Sequence, residues 1–223
     1  MSNPNSEHLI ILLHGIGKNS SSLKGLKTYL NKESFSILNI NYPSTKYSIE
    51  ELSNILHNDI YCATQKYKMV SFVCFSMGGL VIRAYLHKYK ISNLGKVVMV
   101  GTPNKGSEVA DFFKNNRLYK NFFGPAGLQL STNQQEIAPL LGNLDCKLGI
   151  IAGNLSLDFY YFLFKGAAND GKVSVKSTKL ENMSEHIVIK VPHWYMPRSK
   201  TVWKLVLNFL KYSKFNALEK NYR

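Results

Sequence analysis

Ser76 lies in Cys74-Phe75-Ser76-Met77-Gly78-Gly79, where an apolar run over 70–75 meets a helical run over 80–86. A serine at a sharp strand-to-helix turn occupies a strained backbone position and exposes its hydroxyl at the end of a sheet, which suits a nucleophile. Small residues are required where strand and helix crowd together, and Gly78 supplies one. The position two before the serine, a glycine in the G-x-S-x-G pattern, is Cys74. A chance serine between a strand and a helix is the plain alternative.

A hydroxyl is a weak nucleophile and needs a base, itself oriented by a carboxylate. Where a serine stands on such a turn, its partners follow in the chain order serine, acid, histidine. The histidines after Ser76 are His87, His186 and His193. His87 falls inside the helix after the turn and His186 starts a strand. His193 follows the apolar run 187–191 and Pro192, in a loop beyond a strand's C-terminal end, where the active-site groups of open parallel sheets gather. His193 is therefore preferred to His186.

Asp170, in Asn169-Asp170-Gly171-Lys172-Val173, is the candidate acid. Asp145 precedes its strand and Asp158 sits beside an aromatic cluster, so both fit less well. A simple turn role for Asp170, beside Gly171, stays open. Acyl transfer also needs backbone donors for the developing oxyanion. Met77 N–H follows the nucleophile, and Ile16 N–H in Leu13-His14-Gly15-Ile16-Gly17 is the second candidate.

These residues need a parallel sheet to hold them. Short apolar runs alternate with segments of helical period. The expected strands are 8–13, 35–41, 69–75, 96–100, 147–152 and 186–191, and the expected helices are 21–30, 48–66, 79–89 and 201–212. Gly95 and Gly101 read as turn and packing residues flanking a strand. Between Thr102 and Cys146 the alternation breaks down, around Gly124-Pro125-Ala126-Gly127 and Phe112, Phe113, Tyr119, Phe122 and Phe123. A segment this long reads as a lid-like insertion over 104–146. Together with the run 160–164, its aromatics read either as core or as a wall for an acyl chain.

The sequence resembles the small lipase/esterase-like branch of the α/β-hydrolase family found in bacteria. The resemblance rests on Leu12-Leu13-His14-Gly15, the Ser76 segment through Arg83, Val100-Gly101-Thr102-Pro103-Asn104-Lys105-Gly106-Ser107, the Asp170 segment and Pro192-His193. It implies an α/β-hydrolase fold, a mostly parallel sheet of about six or seven strands flanked by helices. It also implies a Ser76, Asp170 and His193 triad, with Ile16 and Met77 as oxyanion donors and no cofactor. Asn104-Lys105 replaces the His-Arg usual in that branch.

The 223 residues carry 28 Lys and Arg against 14 Asp and Glu, a formal charge of +14. Such a length fits a single domain spanning 1–223. The cations are spread along the chain, with mild concentration over 204–223 and no nucleic-acid module. Solvated surface is the first reading and contact with an anionic membrane the second. Three scattered cysteines read as reduced, buried thiols, with no metal-ligand spacing. No run reaches the roughly 20 apolar residues of a membrane span, and the N-terminus lacks the pattern of a signal peptide. These point to a cytoplasmic protein. Hydrolysis of a carboxylic ester or lipid is the leading expectation. Acyl transfer from the same acyl-enzyme, or an idle hydrolase fold that binds membrane or protein, are the alternatives.

Overall fold

The computed structural model describes residues 7–216. The N-terminal stretch and the end of the basic C-terminal stretch considered above lie outside them. Six strands form one sheet: β1 (His8–Leu13), β2 (Ser36–Ile40), β3 (Met69–Phe75), β4 (Leu94–Val100), β5 (Lys147–Gly153) and β6 (Glu185–Ile189). Their order is β2-β1-β3-β4-β5-β6, and every pairing is parallel. The chain steps outward from β1 to β2, then returns to place β3 on the other side of β1. That reversal opens a crevice at the strands' C-terminal ends.

Parallel strands bury both faces, so their side chains alternate between two apolar layers. In β1, Leu9, Ile11 and Leu13 enter one layer with Val70, Phe72 and Cys74 of β3. Ile10 and Leu12 enter the other with Val73 and Phe75. The first layer is closed by α2 (Ile49–Ile55) and α4 (Gly78–Lys88), the second by α1 (Lys24–Lys32) and α8 (Lys200–Tyr212). Ser48 begins α2 with a full capping box, its hydroxyl accepting from Glu51 N–H while the Glu51 carboxylate accepts from Ser48 N–H. That reciprocal pair satisfies two donors a helix start leaves free.

Several boundaries differ from the sequence reading. The expected helix 48–66 is divided at Leu56 into α2 and α3 (His57–Thr64). The first expected helix begins as a tighter turn, Ser20–Leu23, before α1. Gly95 lies inside β4 rather than flanking it. A side chain there would meet Ser71 Oγ, which accepts from Lys96 N–H where the β3–β4 register shifts. The segment after Thr102 contains two helices, α5 (Glu108–Phe113) and α6 (Arg117–Leu128). α6 is bent at Gly124, whose φ of 60° lies outside the helical range. Gly124, one of the two glycines that made this stretch unreadable as a helix, therefore marks its bend. α7 (Val175–Thr178) is a single turn after the Asp170 loop.

Candidate active site

The residues picked out by the sequence come together at the C-terminal ends of the strands. Ser76, immediately after β3, has φ of 53°, the left-handed region that costs an L-residue about 1–2 kcal/mol. Three contacts hold it there. Its N–H donates to Val100 O at 2.8 Å, its carbonyl accepts from Gly79 N–H at 3.0 Å, and the Thr102 hydroxyl donates to the same carbonyl at 3.0 Å. A Cβ on Gly78 would lie 2.7 Å from Leu13 O and 2.8 Å from His14 O, so this turn needs glycine at that position. Position 74 has no such constraint. Cys74 points into the first apolar layer at the end of β3, in register with Leu13 and Met99, and burial pushes its thiol far above the usual range. A small apolar side chain therefore fits where the usual pattern has glycine.

His193 Nε2 stands 3.1 Å from Ser76 Oγ, and His193 Nδ1 stands 2.8 Å from Asp170 Oδ2. A carboxylate only accepts, so Nδ1 carries the hydrogen and Nε2 is left to accept from the serine hydroxyl. The other Asp170 oxygen accepts from Lys172 N–H at 2.9 Å and Val173 N–H at 2.8 Å. These four groups form one connected path: backbone amides, Asp170, His193, Ser76. The loop is tied again by His193 N–H, which donates to Asp170 O. Ser76 is 7% exposed and His193 9%, and the Phe75 ring lies 5.0 Å from the imidazole.

The rival residues lie elsewhere. His186 pairs with the Thr178 hydroxyl, and His87 and Asp145 are exposed. Asp158 sits near the site, 3.1 Å from Lys172 Nζ and beside Gly171, but its carboxylate is not the one on His193.

Ile16 and Met77 occupy the turn after β1 and the cap of α4. Neither backbone N–H has a hydrogen-bond partner among the described residues. Unpaired amides at a helix start are suited to receiving negative charge. The sequence reading missed what shapes the first of these turns. His14 is fully buried, donating from Nδ1 to Gly15 O at 2.9 Å and accepting at Nε2 from Tyr42 N–H at 3.3 Å. The Tyr42 hydroxyl donates to His14 O, and the two rings stack at 4.1 Å. Desolvation lowers the His14 pKa, outweighing the two backbone hydrogen bonds that act the other way. A neutral imidazole thus clamps the turn, and the only signal was His14-Gly15 itself.

The Gly-Thr-Pro-Asn-Lys-Gly-Ser run also has a physical role. Thr102 holds the serine turn, while the Ser107 hydroxyl donates to Lys172 O at 2.7 Å and so holds the Asp170 loop. Asn104 is buried beneath Arg83, whose guanidinium donates to Asn104 Oδ1 and O and to Leu141 O. Burial brings Arg83 down to about 10, and no carboxylate pairs with it among the described residues. Carbonyl acceptors alone support this charge. The three cysteines are free. Cys62, contrary to expectation, is exposed, since it falls on the outer face of α3. A cavity of about 470 Å³ around His8 and Lys96 lies at the opposite end of the sheet and contributes nothing to this site.

The parallel sheet, its strand order and a serine on the strand-to-helix turn after β3 define an α/β-hydrolase fold. Solved structures share it. The mature lipase BlEst2 of Bacillus licheniformis superposes with a TM-score of 0.71 at 22% identity, over 90% of this chain and 88% of that one. The metagenomic carboxyl esterase MGS0156 gives 0.74 at 15% identity, over 86% and 66%. The lin2722 gene product of Listeria innocua gives 0.62 at 18%, over 91% and 93%. No curated protein sequence matches. The chain belongs to the family described as "Putative serine esterase (DUF676)", whose family model matches residues 3–122, and it is a serine hydrolase. The matched stretch contains the His14 turn and Ser76 and ends before Asp170 and His193. No helix among the described residues is long and apolar enough to cross a membrane.

Proposed function

We propose that this chain, acting as one catalytic domain, is a carboxylester hydrolase working through a Ser76 acyl-enzyme. The observation that carries the reading is the unbroken hydrogen-bond path from the amides of Lys172 and Val173 through Asp170 and His193 to Ser76. His193 Nε2 takes the hydroxyl proton as Ser76 Oγ attacks the acyl carbonyl. The resulting oxyanion is received by Ile16 and Met77 N–H. His193 then returns the proton to the departing alkoxide, and Asp170 stabilises the transient imidazolium. In the second half, water attacks the acyl-enzyme, giving its proton to His193 and releasing the carboxylic acid and free serine.

Its substrate class is an ester or lipid with an apolar acyl group. The insertion over 104–146 acts as the apolar cover, with the half-buried Phe113, Tyr119 and Phe123 rings packed in series and Phe123 reaching Gly17 of the oxyanion turn. The names of the solved neighbours, a lipase and a carboxyl esterase, support the same class. The test is hydrolysis of p-nitrophenyl esters of graded acyl length by purified protein. Ser76→Ala is expected to lower kcat/KM by at least about a thousandfold. Unchanged hydrolysis by Ser76→Ala would overturn the reading.

A further inference from the structure

The insertion and the segment after β5 bear apolar side chains that the fold leaves outside. On α5 and α6, Phe112, Leu118 and Phe122 are exposed, Leu118 at 77%. On the turn Phe159–Phe164, the same holds for Phe159 at 80%, Tyr161 and Phe162. Scattered apolar residues on a surface need no explanation, but a contiguous group does. Here the aromatic rings form a continuous series. Phe122 packs on Phe123, Phe123 on Tyr119, Tyr119 on Phe113, and Phe113 on Phe112, with successive centroids between 4.8 and 5.9 Å apart. Phe112 then meets Phe162 at 6.2 Å, and Phe162 meets Phe159 at 5.9 Å.

The series borders the candidate active site. A Cβ on Gly17, next to Ile16, would lie 3.5 Å from Phe123 and 3.6 Å from Phe122. At the other end Tyr160 lies under the Lys172 ammonium, two residues beyond Asp170. Charge on this surface is predominantly positive. Residues 112–130 carry Lys114, Arg117 and Lys120, and residues 159–169 carry Lys165. The bordering acids are already partnered: Asp111 lies 4.0 Å from Lys114 and accepts from the Ser131 and Thr132 hydroxyls, and Asp158 lies 3.1 Å from Lys172. Lys114, Arg117, Lys120 and Lys165 are exposed.

We propose that this face is a docking surface for an anionic phospholipid bilayer, seating the mouth above Ser76 against the lipid. Exposed aromatics enter the headgroup and upper acyl region, while cations beside them meet lipid phosphates. A lipid surface fits both halves of this chemistry, because it is apolar below and negatively charged above. The proposal deepens the ester-hydrolase reading by supplying the source of the substrate, yet docking itself does not depend on Ser76.

The test is co-sedimentation of the full chain carrying Ser76→Ala with vesicles of phosphatidylcholine, or of equimolar phosphatidylcholine and phosphatidylglycerol. Binding is expected only to the anionic vesicles and is expected to weaken as NaCl is raised. Each cation near the surface is worth roughly fivefold in partitioning, so Lys114→Gln/Arg117→Gln/Lys120→Gln is expected to lose on the order of a hundredfold. The variant Leu118→Ser/Phe159→Ser/Tyr161→Ser is expected to lose at least about tenfold. In a Ser76 background both variants should keep the wild-type rate on p-nitrophenyl acetate and the wild-type melting temperature. Absence of binding to anionic vesicles at low salt, or equal binding by the variants, would overturn the proposal. A lipid-free dimer that the apolar variant converts to monomer would overturn it too, assigning the face to a second copy. Loss of esterase activity by Ser76→Ala bears only on the proposed function.

Discussion

The Ser76 turn makes a stability prediction that separates backbone strain from chemistry. At φ of 53° Ser76 lies in the left-handed region, which costs an L-residue about 1–2 kcal/mol and glycine almost nothing. Both Ser76→Ala and Ser76→Gly delete the hydroxyl that meets His193 at 3.1 Å, so that loss is common to them. They differ in the strain, which Ala keeps and Gly releases. Against this, glycine loses about 0.5–1 kcal/mol more backbone entropy on folding. The net expectation is that Ser76→Gly is the more stable by about 0.5–1 kcal/mol, or about 1–4 °C in Tm for a chain of this size. Scanning calorimetry on the two variants, both inactive, gives the number. A Ser76→Gly protein that melts at or below Ser76→Ala would refute the idea that the turn stores strain at the nucleophile.

Asp170→Asn should fold with little change in secondary structure, since the amide oxygen can still accept from Lys172 and Val173 N–H. It should lower kcat by about a thousandfold or more, because the imidazolium loses its counter-charge and the tautomer is no longer fixed; steady-state kinetics on a p-nitrophenyl ester checks this. His8, buried beside Ser71 and Lys96, has its pKa lowered to about 4 from 6.5, first by desolvation and then by Lys96. The folded state therefore resists protonation that the unfolded state accepts. The His8 contribution is fully present above pH 6.5 and is lost as pH falls from 6.5 towards 4. Urea denaturation across that range should show a slope in the wild type that His8→Gln lacks.

The legible parts of this molecule are those where local pattern and tertiary need agree. The central strands β1, β3, β4 and β5 are largely buried on both faces, so their apolar runs announce them, and the runs ending at Leu13 and Phe75 also locate the two turns that flank the serine. Ser76, Asp170 and His193 could be chosen because chain order and strand ends restrict the options. Residues that act through shape were less visible. His14 gives no sequence sign of its stack on Tyr42, and Thr102 and Ser107 reveal their purpose only when the serine turn and the Asp170 loop lie beside them. α5 and α6 escaped because Gly124 bends the second of them and because Phe112, Leu118 and Phe122 face outward beside the inward Val109, Ala110 and Ala126, which blurs the one-sided pattern expected of a covering helix. The exposed Cys62 was missed since cysteine type says little about which face of α3 it takes.

The central claim is that Ser76 becomes covalently acylated with the help of His193. A fluorophosphonate probe, which is attacked by an activated serine and leaves a stable adduct, tests this most directly by intact-mass and peptide mass spectrometry. The account predicts one adduct per chain on the peptide containing Ser76, esterase activity lost in proportion to labelling, no adduct in Ser76→Ala and strongly slowed labelling in His193→Ala. Labelling of a different serine, or esterase activity that persists in the fully labelled protein, would contradict it.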